Sequence, residues 1–487
     1  MTTRIKDDKL NIYNPSSNLL IESISITKSK EIDNILKSSK KASKTFNFSK
    51  IKYRKKLINK FKKLILESID EFVTIICNET GKKRFESLLE VFISIEHINN
   101  ISKQLDCLKP ERRNVGILKT KRVWVEYEPI GVAGIISPWN YPLILTLTPV
   151  VEALLAGNTV VLKPSEETPL TAKFLKKIWD ISTQQCDLFQ IIYGISDAGK
   201  QLVESTNSDI ICFTGSTAVG KKIAETCTNL MKPLILELGG KDPMIVLEDA
   251  NIKRVINAAL WGSFSNAGQT CVSVEHLYVH NSVYQDLLEK LKLEIKNLSS
   301  GLNQNIIGAI SSKNNYKKVC SLIENAKSKN QVIQGKSDYG YFIPPTLVVE
   351  PTADLRIMKE EIFGPVLTIT PFNSDNDVIR LVNNSPYGLS ASIFGKNPER
   401  IKKLSRNFNV GSITINDVMT HYGISSLPFG GRGLSGSGKV HGKEGLRAFS
   451  YQKSYLKNLI NFNNELWWFK KNKNIERIFK LFLRWYY

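Results

Sequence analysis

Three side chains occupy positions from which chemistry could be done. Cys271, in "SNAGQTCVS", follows a small, polar, glycine-containing stretch, which places it on a loop or at the end of an element. Cys77, Cys212 and Cys227 lie in apolar or helical stretches and read as small core hydrophobes. A lone cysteine is more often structural than catalytic, so the context of Cys271 must decide its role. Glu237, in "PLILELGGKDP", sits at a strand end just before Gly239 and Gly240. A carboxylate beside a glycine turn at the edge of a parallel sheet stands where open α/β sheets gather ligands. A solvated acid or a cap would show the same pattern. Asn140, in "ISPWNYPL", is flanked by Trp139 and Tyr141 and bracketed by Pro138 and Pro142, which fix the backbone and aim the side chain. A neutral amide so held can donate to a developing oxyanion, although turn asparagines are common. Lys163 and Glu166 follow a further strand in "VVLKPSEET", and Glu361 and Phe363 lie in "KEEIFGPV".

A fourth segment, "DIICFTGSTAVGKK" at 209–222, reads as a buried strand that turns at Gly215 into a helix N-terminus, a place to hold an anion. The spacing from Gly215 to Gly220 and Lys221 nearly completes an ATP-binding P-loop. The residue that should carry a magnesium-binding hydroxyl is Lys222. The G-x-G-x-x-G dinucleotide fingerprint does not fit either, so this segment alone leaves both nucleotide types open.

Positioning these residues requires a repeated strand–helix scaffold. Residues 29–105 carry helical periodicity, with Leu57, Phe61, Leu64 and Ile65 on one face. Residues 111–128 alternate like a β-ribbon. From Gly131 to Asp249 the short apolar runs "VAGII", "TVVLK", "FQIIY", "IICFT" and "LILEL" alternate with helical stretches. That pattern predicts a parallel sheet covered on both faces. "PMIVL", "HLYVH", "PTLVV", "GPVLTIT", "SASIF" and "GSITIN" predict a second α/β domain, followed by the glycine-rich loop "PFGGRGLSGSGKVHG". The 487 residues suffice for about three domains. The formal charge of +21 is spread among Asn and Ile without a basic stripe or nucleic-acid motif, so it reads as solvated surface and no nucleic acid is expected. The seven cysteines show no C-x-x-C pair and no histidine cluster, which argues against a disulfide framework or a metal site and for a reducing, cytoplasmic compartment. The first ten residues predict no signal peptide, and no apolar run reaches the ~18 residues of a spanning helix.

Taken in order, "SPWNYP", "LKPSEETP", "FTGSTAVGK", "LELGGKDP", "NAGQTC", "EEIFGPV" and "PFGG" resemble the NAD(P)-dependent aldehyde dehydrogenase superfamily. The resemblance runs from about Thr80 to about Lys453. It implies a Rossmann-like NAD-binding domain (1–110 and 130–239), an α/β catalytic domain (240–448) and a small β-ribbon oligomerisation element (111–129 and 449–458). It implies Cys271 as nucleophile, Asn140 with the Cys271 N–H as oxyanion site, and Glu237 as the base that activates water. For the cofactor it implies Gly215 and Ser216 at the pyrophosphate and Gly220 for close helix packing. Gly239 belongs to the cofactor set as well. Lys163 and Glu166 go to the adenosine ribose, Glu361 to the nicotinamide ribose, and Phe363 and Trp139 line the channel. A carboxylate at Glu166 would repel a 2′-phosphate, which predicts NAD over NADP.

Departures from the family pattern carry information too. His276 stands where the family usually has arginine, and Gly433 where it often has lysine. The segment "KVHGKEGL" is similar to the fatty-aldehyde-type branch, and "VSVEHLYVH" to some succinate-semialdehyde enzymes. Residues 459–487 extend beyond where many members end. They form a basic amphipathic tail with Ile475, Ile478, Phe479, Phe482 and Trp485 on one helix face and Arg477, Lys480 and Arg484 on the other. The expected protein is therefore an aldehyde-oxidising homodimer or homotetramer whose tail lies on an acidic membrane surface and favours long-chain or other apolar aldehydes, with packing against its own protein as the other role for the tail. The rival readings are a succinate-semialdehyde enzyme, a coenzyme A-acylating enzyme, a P-loop ATPase and a non-catalytic or RNA-binding protein on this fold. Glu237 disfavours the acylating branch.

Overall fold

The structure, a computed structural model, describes residues 3–302, 306–465, 467–468 and 474–486. Its N-terminal segment, polar by composition, nevertheless forms an antiparallel sheet of β1 (Thr3–Lys6), β2 (Lys9–Tyr13) and β3 (Leu20–Ser25). Leu10, Ile12 and Ile24 turn inward on it, which is the period-two pattern compressed into strands too short to stand out. Four helices follow: α1 (Ser29–Phe46), α2 (Ile51–Glu67), α3 (Ile69–Thr80) and α4 (Arg84–Ile101). On α2 the buried apolar set is Leu57, Ile58, Phe61 and Ile65, the face expected from its periodicity.

The chain divides into two compact units. The smaller comprises Lys109–Tyr127 and the residues from Gln452 onward. There β4 (Glu111–Arg112) pairs antiparallel with β5 (Lys121–Pro129), and Ser450–Asn458 flanks β5 on its other edge. The expected ribbon is interrupted: residues between these strands turn back on themselves, with Leu118 N–H donating to Val115 O. Trp124 stacks on Tyr455 at 4.9 Å, and Lys121 pairs with Glu465. The C-terminal helix, Ile475–Tyr486, has no buried residue. It shares a groove of about 550 Å³ with Ile117, Leu118, Phe462 and Trp467. Among the described residues no helix is long and apolar enough to cross a membrane.

The larger unit holds two sheets. In the first, β6 (Val132–Ile136), β7 (Thr159–Lys163), β8 (Phe189–Ile191), β9 (Ile210–Thr214) and β10 (Leu234–Glu237) run parallel in the order β10-β9-β6-β7-β8. Helices α5 (Ile144–Ala156), α6 (Pro169–Thr183), α7 (Ser196–Glu204) and α8 (Thr217–Asn229) connect them. The chain passes from β6 to one side and returns as β9 on the other, which makes the C-terminal ends of β6 and β9 the topological switch point where such sheets bind ligands. Every residue of α5 is buried, so it is the central helix of this layer. The second sheet orders Gln331–Gln334, Thr346–Val349, Val366–Phe372, β12 (Val274–His280), β11 (Asp242–Val246), Ser390–Phe394 and Ser412–Ile415, all parallel except the first. Helix α9 (Ile252–Phe264) joins β11 to β12. The two sheets meet in sequence at Gly239 and Gly240, between β10 and β11.

Candidate active site

Cys271 lies on the loop between α9 and β12, and that loop is unusually constrained. Asn266, Ala267 and Gly268 all take left-handed backbone, at φ 50°, 53° and 70°. For the first two residues this costs about 1–2 kcal/mol each, so neighbouring contacts must impose it. Those contacts are present. Glu86 accepts from the Asn266 N–H at 2.6 Å, and Gln269 Oε1 accepts from Ser311 N–H at 2.9 Å. Asn140 Nδ2 donates to Gln269 O at 2.9 Å, while Asn266 Nδ2 donates to Asn140 O at 3.0 Å. The amide and the nucleophile loop are thus tied to each other in both directions.

Beneath them lies an ion pair between Lys82 and Glu90, whose side chains are both fully buried, at 2.6 Å. Lys82 also donates to Asn140 O and sits over the Tyr141 ring, 3.8 Å from its centroid. Glu90 accepts the N–H groups of Leu143 and Ile144 at the start of α5. The sequence reading missed this pair; only the "ETGK" at the edge of the resemblance touched it.

Glu237 ends β10. Both of its carboxylate oxygens are buried with no hydrogen-bond partner. Burial pushes its pKa well above the usual range, Glu152 adds to the effect, and Lys439 opposes it. The Cys271 thiol is raised as well, first by burial and then by Glu237, Asp242 and Glu361. The two groups are therefore electrostatic neighbours, each disfavouring the other's negative charge. A Cβ placed on Gly240 would stand 2.1 Å from the Cys271 carbonyl oxygen, so the glycine turn after Glu237 touches the nucleophile's backbone.

A cleft of about 800 Å³ opens at the switch point, lined by Trp139, Lys163, Glu166, Gly215, Ser216 and Lys222 among others. Lys163 pairs with Glu166 at 2.8 Å. Ser216 caps α8 by accepting from the Val219 N–H. Gly215 folds against the Phe213 ring, and a Cβ on Gly220 would meet Leu238 at 2.5 Å, which is why α8 approaches the sheet so closely. Trp139 and Phe363 meet edge to face at 5.4 Å. Phe363 has φ 58°. Glu275 holds it by accepting its N–H at 3.0 Å, and Asn315 holds it by donating to its carbonyl. Glu361 accepts from the Gly240 N–H at 3.0 Å and is raised to about 7 by burial and by Glu275. A Cβ on Gly239 would lie 2.6 Å from that carboxylate. His276 is buried, neutral by desolvation, and bonded to Thr368 at 2.6 Å. Among the described residues no group of acidic, cysteine and histidine side chains could hold a metal ion.

On α4, Phe85, Leu88 and Phe92 form an exposed apolar stripe. It begins beside Glu86, which grips the nucleophile loop. The same helix packs on Thr420–Gly423, after which Ile424 and Leu427 are also exposed.

Residues 3–455 match the family model described as the aldehyde dehydrogenase family. The chain is 34% identical to the 4,4'-diapolycopene aldehyde oxidase of a Methylomonas species, over 97% of this chain and 90% of that one. It is also 34% identical to the 4,4'-diaponeurosporen-aldehyde dehydrogenase of Staphylococcus aureus, over 83% of this chain and 89% of that one. The NAD+ complex of an aldehyde dehydrogenase from Bacillus cereus superposes with a TM-score of 0.89 at 30% identity, over 93% of this chain and 94% of that one.

Proposed function

The chain belongs to the aldehyde dehydrogenase family, and from that premise we propose that it oxidises an apolar aldehyde to its carboxylic acid through a thiohemiacetal and a thioester on Cys271. The observation that carries the reading is the contact set joining Cys271, Asn140 and Glu237 through Gln269 and Gly240. Cys271 as thiolate attacks the aldehyde carbon. The oxyanion is received by the Asn140 side-chain amide and the Cys271 N–H. NAD(P), when bound, supplies the hydride acceptor. Glu237 then takes a proton from the water that attacks the thioester, the C–S bond breaks, and the acid leaves. Lys163, Glu166, Gly215 and Ser216 would hold the adenosine half and pyrophosphate of the cofactor; Trp139, Gly239, Glu361 and Phe363 would hold the nicotinamide half. These residues fit it: the strand ends open at the switch point, the α8 N-terminus faces the cleft, and the glycines leave room only for backbone.

Two observations support an apolar substrate. The relatives above are named for diapolycopene and diaponeurosporen aldehydes, which are apolar. The stripe of Phe85, Leu88 and Phe92 with Ile424 and Leu427 gives this chain a greasy surface beside the nucleophile loop. A succinate-semialdehyde substrate, being anionic, has no such support. We also assign the exposed edge strand Ser450–Asn458 to subunit pairing in a homodimer or homotetramer, and the basic amphipathic helix Ile475–Tyr486 to an anionic membrane surface.

The test is reduced-nicotinamide absorbance with a panel of succinic semialdehyde, benzaldehyde, hexanal and a long-chain aldehyde, using Cys271→Ser alongside. Turnover that is best with the long apolar aldehyde and lost in Cys271→Ser is expected. Best turnover with succinic semialdehyde refutes the substrate reading, and retained turnover in Cys271→Ser refutes the nucleophile.

A further inference from the structure

Helix α5 carries a carboxyl group that the mechanism above does not use. Glu152 is fully buried in it. Glu152 Oε1 accepts the His441 N–H at 2.9 Å and lies 3.5 Å from His97 Nε2. The rings of His97 and His441 are 4.9 Å apart. Tyr422 packs on His441 at 4.7 Å.

This pocket is polar and underused. Among the described residues, the buried side-chain atoms that find no hydrogen-bond partner include Glu152 Oε2, both ring nitrogens of His441, Nε2 of His97 and both oxygens of Glu237. Each such atom costs about 1–3 kcal/mol if it serves only packing. Clustering them in one place therefore marks a site where protons or waters are handled. The cluster also reaches the base. A Cβ on Gly430 would stand 2.9 Å from Glu237 Oε1. Phe429, the preceding residue, is paired with Val440 by two backbone hydrogen bonds, and His441 follows Val440. Tyr422 interacts electrostatically with Cys271, Glu237 and Glu152 at once, so it stands between the nucleophile and the histidine.

We propose that Glu152, His441 and His97 form a positioning relay that removes the proton from Glu237 after thioester hydrolysis. This rests on Glu237 being the base. In that step water attacks the thioester carbon, a C–O bond forms, and the C–S electron pair returns to Cys271. The proton taken from water resides on Glu237, which must release it before the next turnover. The His441 ring accepts it at one nitrogen and gives up another proton from its second nitrogen toward Glu152. The exit lies along His97, whose Nδ1 meets Ser425 Oγ at 3.1 Å. Ser425 O in turn accepts from the half-buried Gln104. The electrostatics agree with the geometry. Burial raises Glu152 to about 8, and Glu237 is raised too, so transfer between two carboxyls of similar affinity is close to balanced. Burial lowers His441 to about 3, with His421 adding, so it relays as a neutral imidazole and not as a resident cation. The other charged or titratable groups facing the cluster are Lys439 beside Glu237, His421 and Tyr422 on Thr420–Gly423 and the segment before it, and Cys212 on β9.

The experiment compares the intact enzyme with His441→Gln, Glu152→Gln and Glu237→Gln. The single-turnover burst, the deacylation rate after it, its pH profile and its solvent deuterium isotope effect are read for each. The relay predicts a full burst in His441→Gln and Glu152→Gln. It also predicts deacylation slowed about tenfold or more, short of the about 10²–10⁴ that direct proton transfer contributes, with a shifted pH profile and a larger isotope effect. Unchanged deacylation and pH profile in both folded variants overturns the relay. A burst lost in proportion to deacylation, with a lowered Tm, also overturns it, because the cluster is then structural. Glu237→Gln with undiminished deacylation instead overturns the assignment of the base.

Discussion

Gly240→Ala isolates the coupling between the glycine turn and the nucleophile. The added Cβ would stand 2.1 Å from the Cys271 carbonyl oxygen, whereas ordinary contacts begin at about 3.4 Å. Its next neighbours, Asp242 Oδ1 and a Leu389 methyl, are at 3.2 Å, so the methyl cannot retreat freely. The nucleophile backbone must therefore move by roughly 1 Å. Overpacking of this kind costs about 1–3 kcal/mol of stability. Because a displacement of about 1 Å can cost about 10²-fold in rate, kcat/KM for the best aldehyde should fall about 100-fold while NAD affinity changes little. Gly199→Ala serves as control: it lies in α7 with its nearest neighbour at 3.8 Å. The assay is steady-state turnover with a parallel thermal melt. A folded Gly240→Ala enzyme retaining more than about half its activity would show that the turn does not position Cys271.

Glu237→Gln should leave a burst of about one reduced nicotinamide per subunit and lower steady turnover by about 10²–10⁴; multiple rapid turnovers would refute the base. Because Glu237 is held well above the ordinary carboxylate range and acts when ionised, deacylation should climb with pH through that raised value and weaken as pH falls below it. A rate flat from pH 6 to about 9 contradicts this. The raised Cys271 thiol should be alkylated faster by iodoacetamide when NAD+ is added, since a cationic ring nearby favours the thiolate; an unchanged rate contradicts it. Lys82→Met leaves Glu90 charged and buried, at a cost of about 3–5 kcal/mol, and an unchanged Tm would refute that account. Vesicles rich in phosphatidylserine should float with the full chain and release Arg477→Glu/Lys480→Glu, whereas equal flotation removes the membrane role.

The parallel sheets were legible because each strand is a short apolar run bounded by glycine or proline, and burial on both faces leaves no alternation to misread. "IICFT" and "TVVLK" are the strands β9 and β7 almost residue for residue. The N-terminal sheet was not legible: only Leu10, Ile12 and Ile24 point inward, and the intervening lysines and asparagines swamp that signal. The cofactor cleft could be read because Lys163, Glu166, Gly215 and Ser216 each follow a strand, and strand ends of one sheet converge. In the tail, the helix Ile475–Tyr486 matches the amphipathic pattern, while the groove it shares with Ile117 and Leu118 joins segments some 350 positions apart in the chain, beyond any local period.

What escaped the sequence is buried charge. Lys82, Glu90 and Glu152 look like solvated residues because local pattern assumes that charge faces water. Each is instead fully buried or nearly so, and each is retained by a partner remote in sequence. Glu90 caps the start of α5 and neutralises Lys82, which in turn orients Asn140. That pair is satisfied, so it reads as scaffold. Glu152 differs: one oxygen is bonded and the other is not. An apolar residue would fill the same position in a helix buried on every side at no desolvation cost. A half-satisfied carboxyl there, with two unpaired imidazoles against it, is unfavourable for stability alone. Its persistence is accounted for by a proton that has to leave Glu237 once per turnover.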